Sequence, residues 1–312
     1  MRANTVGICQ LLVVVHGEFS CTIGGTQVVA KTLTMPATNN KKKSQTFMQA
    51  TGLSRAQDAR RLMKESPRDR HRKKVLMALR WIHGWGQTTL KLLLSACGTT
   101  KSDFLTKLKE HGYVRTEYVI GRTFWILNKS GVDLLRSMSA ADDELARLSG
   151  TRHVNLFAFT HNMLAQAVLA QKLSTGGNGC KWWCDRQLRA MIDPSEAGSK
   201  SPDAAFQDPS GNITYIEIER SPKKQPELEC MILNLARLLE KKPTAKAEIY
   251  IAEGIRARYQ STLGHWLAEG SFRAWSLSTD KELYESGVYQ ISASLDDALR
   301  RIRLIPTKIP SA

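Results

Sequence analysis

Between Pro202 and Lys224 the chain reads PDAAFQDPSGNITYIEIERSPKK, a short run in which carboxylates fall where they could act together. Asp208 to Asn212 is turn chemistry, and the flanking runs Ala204 to Gln207 and Ile213 to Ile218 are apolar and β-branched, which predicts a hairpin. Pairing Gln207 with Ile213 sets an antiparallel register of Phe206 with Thr214, Ala205 with Tyr215 and Ala204 with Ile216. That register puts Asp203 opposite Glu217. Strand side chains alternate, so Glu217 and Glu219 share a face about 6.7 Å apart, and the three acids are expected to converge. Like charges at that range repel unless a proton or a divalent cation sits among them, and hard oxygen ligands suit Mg²⁺ or Mn²⁺. The competing reading is an exposed hairpin edge with solvated acids.

The pattern resembles the PD-(D/E)XK nuclease superfamily. The resemblance implies that Asp203 and Glu217 are metal ligands, with a catalytic lysine normally standing where Glu219 stands here. Three alternatives stay open at that position. Glu219 itself joins the metal set and holds the attacking water, as in Glu-x-Glu variants; or Lys223 or Lys224 swings back to supply the positive charge; or the nuclease is inactive.

Residues 71–140 read as a winged helix-turn-helix. Val75, Leu76, Leu79 and Ile82 recur at helical spacing, Thr88 to Ala96 gives a second apolar helix, and Cys97-Gly98 breaks it. A third helix is expected from Thr100, whose hydroxyl can cap it, to Gly112, with Phe104, Leu105 and Leu108 on its inner side. Lys101, Ser102, Lys107 and Lys109 are then left facing solvent. Strands at Tyr113 to Val119 and Arg122 to Leu127, joined at Ile120-Gly121, would form the wing, and a helix from Val132 to Met138 closes the unit. The segment LKEHGYVRTEYVIGRTFWILNKSG resembles the wing of bacterial DNA-binding domains, in which the third helix enters the major groove and the wing touches backbone or minor groove. That resemblance implies DNA contacts from Lys101, Ser102, Lys107, Lys109, Arg115 and Arg122.

Charge points to the same partner. Lys and Arg number 45 against 29 Asp and Glu, a net +16, and residues 41–80 alone hold 13 basic residues against Asp58, Glu65 and Asp69. A polyanion such as duplex DNA neutralises a face of this kind by releasing counterions. No Gly-x-x-x-x-Gly-Lys-Ser/Thr loop is present, so no nucleotide cofactor is expected. The 7 histidines include no His-x-His pair, which speaks against relaxases that gather three histidines beside a nucleophilic tyrosine. Of the 6 cysteines only Cys180 and Cys184 lie close, a poor zinc pattern, and reduced thiols fit the cytoplasm. The apolar run Val6 to Val15 is too short to span a bilayer, so no membrane association is expected.

Four segments follow. Residues 1–70 are expected as a basic, largely disordered extension with one helix near Ser54 to Lys64. Within it, 1–34 need not be translated if the chain starts at Met35. The winged helix occupies 71–140, a nuclease-like unit 150–280, and a C-terminal extension 281–312. In the third segment a helix from Asn155 to Gln171, with Leu156, Phe159, Met163 and Ala167 as its apolar face, precedes a strand at Trp182-Trp183, a helix from Asp185, the acidic hairpin, a helix at 227–241, a strand at 248–252, a helix at 255–269 and a strand at 272–277. The fold class is α/β in the α+β sense: an N-terminal winged helix, then a restriction-endonuclease-like mixed sheet with flanking helices.

The order of HNMLAQAVLAQKL, WWCDRQLR, SPDAAF and YIEIERSPKK after a winged helix resembles the replication-relaxation family, which includes MobC-type plasmid mobilisation relaxases. The resemblance implies a catalytic set of Asp203, Glu217, Glu219 and Lys223 or Lys224, supported by His161 and Asp185, although the family pattern has glutamate where Asp185 stands. It further implies recognition of an origin-type duplex site, Mg²⁺- or Mn²⁺-dependent nicking of one strand, and bacterial cytoplasmic partners such as a conjugation coupling protein or relaxosome components. The alternative is a non-catalytic winged-helix DNA-binding protein that keeps the nuclease-like unit as a scaffold, serving as a relaxosome accessory or a replication or transcription regulator.

Overall fold

The computed structural model describes residues 20–23, 26–29, 66–139, 154–155, 159–177, 179–191, 201–278 and 282–307 of the chain. Met1–Lys64 and Glu65–Ala312 are separate compact units. In the first, β1 (Ser20–Ile23) and β2 (Thr26–Val29) pair antiparallel. The helix expected near Ser54 to Lys64 lies outside the described residues.

The second unit is mixed α/β. Its first helix, α1 (Pro67–Trp85), starts earlier than its apolar spacing indicates, because Ser66 caps it: Ser66 Oγ accepts from Asp69 N at 3.1 Å and Pro67 fills the first turn. Thr88–Thr89 does not open the next helix, as its place in the apolar run suggests; it is a short strand, β3, and α2 (Leu90–Ala96) begins after it. The β-branched pair lies along Phe124 and Trp125 of a later strand, and Thr89 takes the N-cap. Helix α3 (Asp103–Glu110) begins two residues later than a Thr100 cap would give, with Ser102 at its N-cap. Strands β4 (Val114–Val119) and β5 (Arg122–Leu127) form a hairpin, and the sheet order is β3-β5-β4. Helix α4 (Lys129–Met138) follows directly. Its start is close-packed: a Cβ on Gly131 would meet the Tyr113 carbonyl oxygen at 2.1 Å, so only glycine fits there.

Beyond residue 154 come α5 (Phe159–Gly176), β6 (Lys181–Cys184), α6 (Asp185–Ala190), β7 (Ala204–Gln207), β8 (Ile213–Glu219), α7 (Gln225–Glu240), β9 (Lys246–Ala252) and α8 (Glu253–Glu269). A five-stranded sheet runs β12-β9-β8-β7-β6, with β12 at Ile302–Thr307, antiparallel from β6 to β8 and parallel from β8 through β9 to β12. The register of β7 on β8 is Ala204 with Ile216, Ala205 with Tyr215, Phe206 with Thr214 and Gln207 with Ile213, as turn chemistry and alternation indicate. Asp208 closes the turn, its Oδ1 accepting from Asn212 N at 2.9 Å and its Oδ2 from Asn212 Nδ2 at 3.0 Å.

Two expectations for the C-terminal region are corrected. The strand at 272–277, here β10 (Ser271–Leu277), does not enter the main sheet; it pairs only with β11 (Leu283–Gln290). Glu229 on α7 holds it there, accepting from Arg273 Nη2 and Trp275 Nε1, each at 2.8 Å. The region 281–312, expected as an extension, instead supplies α9 (Ala293–Arg300) and the sheet edge β12 (Ile302–Thr307). The apolar side chains of both have a core to fill, since Leu295, Ala298, Leu299 and Ile302 are buried with α7 and α8.

The sheet divides two cores. Tyr215, Ala247, Ile249 and Ile251 face α7, α8 and α9. Ile216, Ile218, Ala204, Phe206 and Trp182 face the other side, where Ala165, Leu169 and Ala170 of α5 join Leu79, Trp81, Ile82 and Leu93 of α1 and α2 in one continuous core. Helix α5 therefore packs on both sides. Its buried positions are Met163, Ala165, Gln166, Leu169 and Ala170, and Ala167, expected on the apolar face, is exposed. At the centre of this junction Gln166 is fully buried. Its Oε1 accepts from Trp81 Nε1 at 3.0 Å and Thr88 Oγ1 at 2.6 Å, and its Nε2 donates to Gln87 O at 3.0 Å. The Gln87 side chain in turn exchanges two hydrogen bonds with the Asn155 backbone. Among the described residues, no helix is long and apolar enough to cross a membrane.

Replacing Gln166 with alanine leaves the Trp81 indole N–H and the Gln87 carbonyl without this partner in a dry core, and should cost about 2–4 kcal/mol of stability. Urea unfolding followed by tryptophan fluorescence and far-UV circular dichroism should show one lowered, coincident transition. Two separated transitions in the wild-type chain would refute the shared core.

Candidate functional site

Burial of the acids is the first observation. Asp203 is 8%, Glu217 2% and Glu219 3% exposed, so the solvated hairpin edge does not describe them. Alternation along β8 sends Ile216 and Ile218 toward α5 and Tyr215 toward α7, and Glu217 and Glu219 follow Tyr215. Glu219 bears on Tyr259 of α8, whose phenol is pushed above its ordinary range by burial and then by the Glu219 charge.

Asp203 departs from this alternation. The chain bends there, just before β7, and the carboxylate serves as an extra rung of the β-ladder: Oδ2 accepts from Ile218 N at 2.8 Å. Its other oxygen, Oδ1, stands 2.9 Å from His161 Nε2 on α5. The β7–β8 pairing register is as expected, and the bend lets the Asp203 carboxylate reach both α5 and the β8 backbone. Among the described residues, no group of three or more His, Cys, Asp and Glu side chains is placed to hold a metal ion. Mg²⁺ commonly needs no more than one or two carboxylates because it keeps much of its water.

The partners of the remaining site residues are specific. Lys223 turns back over the end of β8, its Nζ 2.9 Å from Glu219 Oε1, whereas Lys224 is exposed at the start of α7. Asp185 is held bidentately by Arg189, with Nε to Oδ1 and Nη2 to Oδ2 both at 2.7 Å, and Ser201 Oγ donates to Oδ1 at 2.7 Å. This closes Asp185 as a metal ligand while it positions Arg189, whose guanidinium also feels the Asp203 charge. Arg189 was legible from its i,i+4 spacing to Asp185. Its proximity to Asp203 was not, since the two belong to different elements.

Other ionisable groups have structural settings. Glu248 on β9 faces α5, with Lys172 Nζ 2.6 Å and Lys246 Nζ 3.1 Å away and Tyr250 donating its hydroxyl proton at 2.9 Å. Burial drives its carboxyl up, but Lys172, Tyr250 and Lys246 more than offset this and hold it below the usual range. Tyr250 is displaced upward by burial and by Glu248. Tyr215 and Tyr259 are buried. None of these three phenols has the exposure or, for Tyr250 and Tyr259, the acidity that a nucleophile needs. Burial pushes the Cys97 thiol up to about 12 and that of Cys184 up to about 11, so both are inert.

On the N-terminal half, Phe104, Leu105 and Leu108 are buried as expected, and Lys101, Lys107 and Lys109 are exposed. Ser102 is half-buried at the N-cap. Arg122 is exposed, its guanidinium carbon 5.4 Å from the centre of the Phe159 ring. Arg115 is committed to the hairpin itself: Nε and Nη2 donate to Glu117 Oε1 at 3.0 and 2.9 Å, and Nη1 donates to Leu127 O at 3.3 Å and Asn128 Oδ1 at 3.0 Å.

Fold and site together define a mixed α/β protein in which buried carboxylates line the end of a mixed sheet and an exposed lysine-bearing helix lies beside a hairpin. Comparison with family models, with curated proteins and with solved structures returns no match in any of the three.

Glu248 gives a pH dependence. Its folded-state carboxyl lies below the unfolded value of about 4.3, so its contribution is complete above that pH and fades as pH falls through the folded value. Thermal melts from pH 6 to pH 3 should show the wild-type acid limb flattened in Glu248→Gln; identical limbs would remove Glu248 as a contributor.

Proposed function

We propose that this protein binds duplex DNA through α3 and the β4–β5 hairpin and nicks one strand in a metal-dependent reaction at the β7–β8 end of the sheet. The order α1, β3, α2, α3, β4, β5, with β3-β5-β4 as its sheet, supports reading the N-terminal half as a winged helix. The order α5-β6-α6-β7-β8-α7-β9, antiparallel then parallel, supports reading the rest as a PD-(D/E)XK core. The observation that carries the catalytic reading is the burial of Asp203, Glu217 and Glu219 in adjacent positions of that core. Buried carboxylates are costly, and a scaffold gains nothing by gathering them.

The donor chemistry fits a hard divalent cation, which Asp203 and Glu217 would hold, Asp203 exchanging its contact with His161. When bound, Mg²⁺ or Mn²⁺ supplies Lewis-acid stabilisation of the charge that develops on the scissile phosphate. Lys223 aims Glu219, and Glu219 is then the group to take a proton from the attacking water. Arg189, exposed beside Asp203, adds positive charge where the phosphate backbone would approach. The resemblance to plasmid mobilisation relaxases supports reading this chemistry as acting at a transfer or replication origin in a bacterial cytoplasm, alongside relaxosome or coupling components.

One observation favours a second reading, a non-catalytic DNA-binding protein. Both oxygens of Asp203 are already engaged, by His161 and by Ile218 N. Supercoiled plasmid incubated with the full chain, with and without Mn²⁺, separates the two. Open circles should appear only with the cation, and Asp203→Asn and Glu217→Gln should each reduce the rate by about 10²-fold or more while duplex affinity is kept. Nicking that persists in both variants removes the hairpin as the active site. Lys107→Ala should weaken duplex binding and lower its salt slope by about one unit, read by fluorescence anisotropy over a salt series; an unchanged slope takes α3 out of the interface.

A further inference from the structure

The β4–β5 hairpin turns through Ile120 and Gly121, with φ of 49° and 69°. A two-residue loop with both central residues at positive φ favours Asn-Gly or Gly-Gly, because a Cβ is crowded there. Gly121 fits freely. Ile120 is β-branched and strained in this conformation, and the fold draws no packing from it in return, since its side chain is 72% exposed. Two residues earlier, near the end of β4, Tyr118 is 75% exposed, and these are the most exposed large apolar side chains among the described residues. Strain of this kind persists where a binding event uses it.

Charge around the tip selects the occupant. Helix α3, which packs on β4, presents Lys101, Lys107 and Lys109 to solvent, and Arg122 stands next to the turn. Glu117, the acid of β4, is already neutralised by Arg115. The hairpin is also held firmly, by Arg115 at its base and by Arg122 against Phe159. A rigid, apolar-tipped, two-stranded projection in a basic surround suits the minor groove of a duplex, where apolar side chains enter a base step and partly unstack it. We propose that Tyr118 and Ile120 form such a wedge, so that the protein distorts bound duplex DNA rather than only gripping it. The inference rests on the DNA-binding reading, and it gives the hairpin a task separate from phosphate contact: opening the duplex.

The test uses closed circular plasmid, the full chain, and a topoisomerase that works in EDTA, which also silences any nicking. A bound wedge unwinds DNA, so the recovered topoisomers should shift in linking number in proportion to bound protein, with binding measured in parallel by anisotropy on a mixed-sequence duplex. Ile120→Gly and Tyr118→Ala should each cut the shift per bound protein by about twofold or more, leaving the salt slope of binding unchanged because no phosphate contact is lost. Ile120→Gly should in addition melt no lower than wild type, since it relieves strain; a lowered melting temperature would make Ile120 a structural residue and overturn the proposal. Tight wild-type binding without a linking-number shift overturns the wedge alone. Absence of binding overturns the wedge together with the DNA reading. A shift that survives both substitutions assigns the distortion elsewhere, and the tip would then serve a protein contact.

Discussion

The second unit is built around one buried polar side chain. Gln166 sits at the crossing of α5 with α1 and β3, where its amide satisfies the Trp81 indole, the Thr88 hydroxyl and the Gln87 carbonyl at once. A buried amide has a limited set of good arrangements, and each partner left unmade costs far more than a made bond contributes. The apolar surfaces around it tolerate small slips, but the amide does not. It therefore fixes the rotation and height of α5 against both neighbours. Leu79, Trp81 and Leu93 on one side and Phe206, Ile216 and Ile218 on the other then form one core rather than two. Further bonds lock the same seam, with Arg186 Nη1 donating to His83 O at 2.8 Å and the Cys184 thiol to Gly84 O at 3.3 Å. The lysine-bearing helix and the acid-bearing sheet are consequently set at a constant offset. On the proposed function, a binding face and a reaction centre meeting one duplex would need that constancy.

Charge burial in the sheet follows a single rule. Each buried carboxylate with a described partner meets a cation or a backbone donor supplied from another element or from further along the chain: Glu248 meets Lys172, Glu229 meets Arg273, Asp203 meets His161 and Ile218 N, and Glu219 meets Lys223. Such pairs add little net stability compared with apolar packing, since desolvation consumes most of the Coulomb gain. They add specificity, because wrong registers strand a charge. Glu248 and Glu229 serve in this way, tying α5 and β10 to the sheet. Asp203, Glu217 and Glu219 differ in lying at one end of the β7–β8 hairpin, where the chain is bent and a cationic loop follows.

The same contrast appears at the β4–β5 turn. Throughout the cores, local preference and global packing agree, as with glycine at 131 where a Cβ would strike the Tyr113 carbonyl. At Ile120 they disagree, and in the absence of a packing reason the disagreement points outward to a ligand.

Much of the architecture was legible in the chain. The β7–β8 register follows from period-two alternation and the Asp208 to Asn212 turn, both of which act over a few residues, and helices α3 and α7 follow from apolar spacing in the same way. Boundaries moved by a few residues, at α1 because Ser66 caps it. What the sequence could not specify was every feature that depends on residues far apart meeting. Alternation indicated three acids on one face, but not the bend at Asp203 that brings its carboxylate onto Ile218 N and onto an imidazole 42 positions earlier. Residues 302–307 look like a tail until β9 offers them a parallel edge. Nothing in the sequence near Gln166 announces that it joins two halves. Local preference is set by steric and hydrogen-bonding rules that each residue carries with it, whereas the partner of a buried charge or amide is chosen by the whole chain when it closes around a dry core.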